Sequence, residues 1–98
     1  MNNAIVKAEL PKFVNDIKRG EEFTIAFTKM NGEERVYEHC QVHVPYEHEG
    51  ESKRKGISAQ QHIEKGNILF WVPEKGYKIA KAANVSYVEL NGVKFEAI

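Results

Sequence analysis

The 98-residue chain has one cysteine, Cys40, and a lone thiol makes neither an intrachain disulfide nor a multi-thiolate metal site. It has no long apolar run. The longest, Ile68-Leu69-Phe70-Trp71-Val72, is far too short to cross a bilayer or to form a signal-peptide core. It has no excess of charge either: Lys and Arg total 14 and Asp and Glu total 14, so the bulk signature of a non-specific nucleic-acid binder is missing. Nucleophile elbows of the Gly-x-Ser-x-Gly type, phosphate-binding glycine loops and His-Glu-x-x-His metal motifs are also missing. These absences lead us to expect one domain over residues 1–98, soluble and intracellular, with no membrane segment, no cofactor and no enzymatic chemistry.

What is present reads as a helix followed by strands. Leu10, Phe13, Val14 and Ile17 share one helical face, Pro11 suits a first turn and Gly20 a C-terminal cap, which predicts an N-terminal helix over 8–20. Residues 22–97 read as β structure. Phe23-Thr24-Ile25-Ala26-Phe27 alternates, and Asn31-Gly32 marks a hairpin turn. A two-residue turn there would pair Phe27 with Val36 and Phe23 with Cys40. It would also bury Glu38 against Ile25 at a cost of roughly several kcal/mol, so a bulge or a longer loop that shifts the register is expected.

The second arm runs through Val36, Cys40, Val42 and Val44, and a long polar loop at 46–66 follows. Within the loop, Ser58-Ala59-Gln60-Gln61 has the form of a capping box, predicting a short helix to Lys65 closed by Gly66. Ile68 to Val72 reads as a central strand, with Phe70 and Ile79 on one inner face after the turn at 73–76. Residues 80–84 fit a single 3₁₀ turn. A second Asn-Gly hairpin across Asn91-Gly92 sets Val88 against Phe95 and Glu89 against Lys94. The expected fold is therefore mainly β with an N-terminal helix (α+β), a small bent barrel of five to six strands.

Three stretches carry a likeness: Ile17-Lys18-Arg19-Gly20, Phe27-Thr28-Lys29-Met30-Asn31-Gly32-Glu33-Glu34-Arg35-Val36, and Trp71 with Glu74-Lys75-Gly76-Tyr77-Lys78. In this order they resemble a family of small Src-homology-3-like barrel proteins of tailed bacteriophages and some bacteria. Leu69-Phe70-Trp71 is more distantly similar to the barrel domain of bacterial regulators named for a Trp-Tyr-Leu motif. The resemblance implies a Src-homology-3-like barrel acting by binding, as an accessory or host-takeover factor in the cytoplasm of a bacterial host. After the Glu-Lys turn the family tends to carry Trp-Arg-Ser-Phe-Arg. This chain has Tyr77-Lys78-Ile79-Ala80-Lys81, whose lysines keep charge but lack the planar fork of arginine.

Two surfaces follow from the charge pattern. Glu33, Glu34, Glu38, Glu47, Glu49 and Glu51 lie in a stretch with only Arg35 as countercharge, an acidic edge suited to a basic host protein. Lys53, Arg54, Lys55, Lys75, Tyr77, Lys78 and Lys81, with Trp71 as a stacking ring and Tyr37 or Tyr87 as others if they face outward, form the alternative, a nucleic-acid-binding surface. Trp71 fits equally well as a core residue. His39, Cys40, His43 and His48 suggest a metal only superficially. Along an extended strand His39 and His43 stand about 13 Å apart and Cys40 points the other way, in step with Val36, Val42 and Val44, so no metal is assigned.

Overall fold

The computed structural model describes residues 3–42 and 59–98. Seven strands fall into two sheets: β1 (Asn3–Ile5), β2 (Phe23–Thr28), β3 (Glu34–Cys40), β4 (Asn67–Val72), β5 (Gly76–Lys81), β6 (Val85–Leu90) and β7 (Val93–Ala97). One sheet has the order β1-β7-β6-β2-β3, and β4 with β5 makes the other. The fold is mainly β, as expected, and the additional strand is β1, which runs parallel to β7 with Ala4 beside Glu96. No helix of the described residues is long and apolar enough to cross a membrane.

The N-terminal helix is shorter than the periodicity predicts. A 3₁₀ turn at Lys7–Glu9 leads into α1 (Leu10–Asn15), with Pro11 in its first turn. Asn15 and Asp16 compete poorly as helix-interior residues, since their side chains favour other local backbone arrangements, and Asp16 is the cap. The next turn is tighter, with Ile17 N–H donating to Val14 at 3.0 Å, and it still delivers Ile17 to the core beside Leu10 and Val14. Phe13 is half-buried and stacks on Phe95 at 4.9 Å between ring centroids.

The first hairpin corrects the two-residue reading of Asn31-Gly32. Lys29 and Glu33 close the turn (2.8 Å), and Gly32 N–H donates to Lys29 (2.9 Å), so three residues, Met30 to Gly32, make the loop. Gly32 supplies the left-handed conformation (φ +88°) that such loops need. Phe27 consequently pairs with Arg35, and Ile25 with Tyr37. Val36, expected inside, is 54% exposed, because the shift turns it to the opposite face. Glu38 and His39 then oppose Thr24 as a bulge, with His39 at φ +60°, and the extra residue brings Cys40 back opposite Phe23. The expected change of register is thus present, and it leaves Glu38 in solvent.

Two expectations for β4 and β5 fail, one through turn length and one through sheet topology. Residues 73–75 form a three-residue turn that pairs Val72 with Gly76 and hence Phe70 with Lys78. Ile79 therefore faces away from Phe70 and is 52% exposed, while Ala80 turns inward. Nor is β4 the middle of a broad sheet. It pairs along its length only with β5, and a single bridge, Gln41 to Trp71, ties it to the end of β3. The predicted short helix is present as α2 (Ala59–Glu64), followed by Gly66 at φ +75°. A 3₁₀ turn occupies Ala82–Asn84, and the β6–β7 hairpin pairs Val88 with Phe95 and Glu89 with Lys94 as read.

Phe70 is completely buried and meets three other rings: Tyr37 at 5.9 Å, Phe27 at 6.2 Å and Phe23 at 6.4 Å. Those rings come from β2 and β3, so Phe70 is the main apolar contact joining the two sheets. Deleting it removes the transfer free energy of the ring and leaves a cavity. Phe70→Ala is expected to cost about 3–5 kcal/mol in urea unfolding, whereas Val36→Thr on the exposed face changes stability by no more than about 0.5 kcal/mol.

Candidate binding groove

The bridge at Gln41–Trp71 ties the small sheet to the large one, a 3₁₀ turn links β5 to β6, and an opening lies between β5 and the β2–β3 hairpin. β6 starts to pair with β2 only at Phe27, so Thr28 and the hairpin turn overhang it. Across the gap runs β5, and Asn84 lies at one end. The result is a groove of about 630 Å³. Phe27, Tyr37, Ala80, Met30 and Ile79 give it an apolar surface, and Lys29, Lys78 and Lys81 supply the charge. Thr28, Asn31, Asn67 and Asn84 complete the lining, which among the described residues contains no carboxylate. Met30 is 87% exposed, an unusual position for a flexible apolar side chain.

The structure separates the residues that the sequence grouped. Of the basic set, Lys78 and Lys81 line the groove. Lys75 does not join them: the turn carries it to the far end of β5, where its Nζ lies 6.0 Å from the Tyr37 ring in a depression shared with Val36, Glu38 and Pro73. Tyr77 pairs with Trp71, and Trp71 is only 5% exposed, so it fills the interior and offers no stacking platform. Lys53, Arg54 and Lys55 lie outside the described residues, as do Glu47, Glu49, Glu51, His43, Val44 and His48.

Of the acidic set, Glu33 forms an ion pair with Arg35 at 2.9 Å, and Glu34 and Glu38 project from the exposed side of β3. Glu38 shares a shallow hollow of about 260 Å³ with Glu22, Glu89 and His39. Lys29 and Met30 are functional candidates that the sequence reading missed, while Tyr37, named there on condition that it faces outward, lines the groove. Their signal was the length of the Asn-Gly loop, because only the three-residue form turns Tyr37 inward and projects Met30 over the opening.

His39 and Cys40 are adjacent but unrelated chemically. His39 Nδ1 hydrogen-bonds Glu22 Oε1 at 2.8 Å on the surface. That bond first, then the charge of Glu22, with a smaller contribution from Glu38, raises the imidazole above its ordinary 6.5. Cys40 is fully buried, its thiol donates to the Tyr37 carbonyl at 3.3 Å, and burial pushes its pKa up to about 12. A thiol so placed is a core side chain with little thiolate at neutral pH. No family model, curated protein or solved structure matches this chain.

Two measurements follow. An NMR titration is expected to place the His39 midpoint above 6.5, and Glu22→Gln to return it toward that value. Because the folded-state midpoint is raised, the pair's contribution to stability is complete below 6.5 and is lost as pH rises through the folded midpoint. Cys40 is expected to stay unmodified by a thiol reagent at pH 8 in the native protein and to react readily in urea; fast native labelling would show that the strand end opens.

Proposed function

We propose that this protein is a non-enzymatic binding module that holds a segment of a protein partner in the groove between β5 and the β2–β3 turn. One observation carries the reading: an apolar surface bordered by Lys29, Lys78 and Lys81, with no carboxylate among the described residues of the lining. Apolar surface supplies affinity, and unopposed lysines select acidic side chains and steer their approach. The acidic side of the first hairpin, Glu33, Glu34 and Glu38, repels the same segment and directs it to the groove.

The finer fold reading, a small Src-homology-3-like barrel, is supported by the chain of pairings. With the Gln41–Trp71 bridge the strands follow one another as β1-β7-β6-β2-β3-β4-β5, and a 3₁₀ turn links β5 to β6. The likeness of residues 27–36 and 74–78 to the phage barrel family supports an accessory or host-takeover role, with a bacterial host protein in the cytoplasm as the partner. Single-stranded nucleic acid is the competing occupant, since the lysines would serve it too. Against it, Trp71 is buried, and the Tyr37 ring is engaged by Phe27 and Phe70.

Charge reversal separates these readings. Lys78→Glu with Lys81→Glu is expected to abolish recovery of a stoichiometric partner from bacterial lysate, while Glu34→Lys with Glu38→Lys does not reduce it; the opposite pattern would move the site to the acidic edge. A gel shift of single-stranded RNA or DNA at low salt that the lysine reversals eliminate would instead support nucleic acid.

A further inference from the structure

The groove is bordered by four consecutive residues of β5, Lys78, Ile79, Ala80 and Lys81. Neighbouring residues of a strand point to opposite faces, so a cavity that touches all four faces the strand's edge, where its unused backbone donors and acceptors lie. β4 occupies one edge of β5, and among the described residues no strand occupies the other. An apolar groove running along an open strand edge is the geometry in which an extended peptide adds itself to a sheet.

Resting on the groove reading above, we propose that the partner segment binds by strand addition to β5, with the pattern acidic, apolar, apolar, acidic. The pattern comes from cross-strand pairing. Lys78 and Lys81 end the open stretch, one on each face, and each calls for a carboxylate opposite. Between them, Ile79 on the outer side and Ala80 on the inner side, where Phe27 and Tyr37 also line the groove, call for apolar partners. The four residues span about 13 Å, so one short extended segment covers them. Because the pattern is symmetric, it suits either strand direction. The edge of β3 is no equal competitor, since Glu34 and Glu38 on it repel the same segment.

Three blocked peptides test this against isotopically labelled protein. One carries the core Glu-Val-Ile-Glu, the second is identical but N-methylated at both central residues, and the third carries Lys-Val-Ile-Lys. The first is expected to shift amides at 27–31 and 78–81 and to slow hydrogen exchange along β5. N-methylation removes the main-chain donors that an added strand requires, so the second is expected to bind at least about tenfold more weakly, and the third not to bind. Equal affinity of the first two, shifts without slowed exchange in β5, or no binding of the first at about 1 mM would each overturn strand addition. Failure of the groove reading looks different: the first peptide would shift amides elsewhere, or bind the Lys78→Glu, Lys81→Glu variant as well as the parent.

Discussion

The two-way backbone exchange between Gln41 and Trp71 is the constraint on which the rest of the structure depends. Trp71 N–H donates to Gln41 at 2.6 Å and Gln41 N–H to Trp71 at 2.9 Å, and this is the only strand-type link between the two sheets among the described residues. It requires that β3 arrive at Gln41 with the right face toward the core. The bulge at Glu38–His39 provides this: without the extra residue, Cys40 would turn to solvent and His39 inward. The left-handed backbone of His39 is a modest local cost that the buried Cys40, Gln41 and Val42 beyond it offset. The contact of Glu22 with His39 then rests on the outer side of the same bulge.

Once that link is set, the groove follows from geometry. A single bridge joins the sheets, and a 3₁₀ turn links β5 to β6. Phe70 packs between them with its three ring contacts. Two of those rings, Phe27 and Tyr37, also line the groove, and Met30, Ile79 and the lysines border what remains open. The same junction that makes a core for a small domain therefore makes a surface cleft, with β2, paired on both sides, and β5, paired on one, in its walls.

The sequence made the local elements legible and the registers less so. The β6–β7 hairpin was readable to the residue because Asn91-Gly92 is a two-residue turn with both φ values positive, and turn length sets register. Asn31-Gly32 has the same letters but gives a three-residue loop, since Asn31 Oδ1 accepts from Glu33 N–H and Gly32 alone is left-handed there. One added residue reversed the faces of Val36 and Tyr37. The prohibitive cost of burying Glu38 foretold that some shift existed, though not which. The same applies to β5, where one residue of turn length decided whether Ile79 went to the core or to the groove. Helix periodicity found the face of α1 but overran its end, because apolar spacing does not register that Asn15 and Asp16 stop a helix. The site was half legible for this reason: Lys78 and Lys81 stood out by charge and Tyr37 as an aromatic whose face depended on register, whereas Lys29 and Met30 became candidates only through the length of the loop.

The zero net charge acquires a spatial meaning in this arrangement. Glu34, Glu38 and Glu89 stand on the side of the large sheet away from the core, with Glu22 beside them, and Lys29, Lys78 and Lys81 collect at the groove. A molecule neutral in sum but divided in this way has little long-range attraction for any charged polymer, yet orients an acidic segment strongly once it is within about one Debye length, roughly 8–10 Å. Orientation matters most where binding uses backbone hydrogen bonds, because main-chain donors and acceptors are the same in every protein and carry no identity of their own. Selectivity must then come from the side chains that border the open edge. In this protein that role falls to the lysines at the two ends of the Lys78–Lys81 stretch, and the acids on β3 turn the same segment away from that strand's edge.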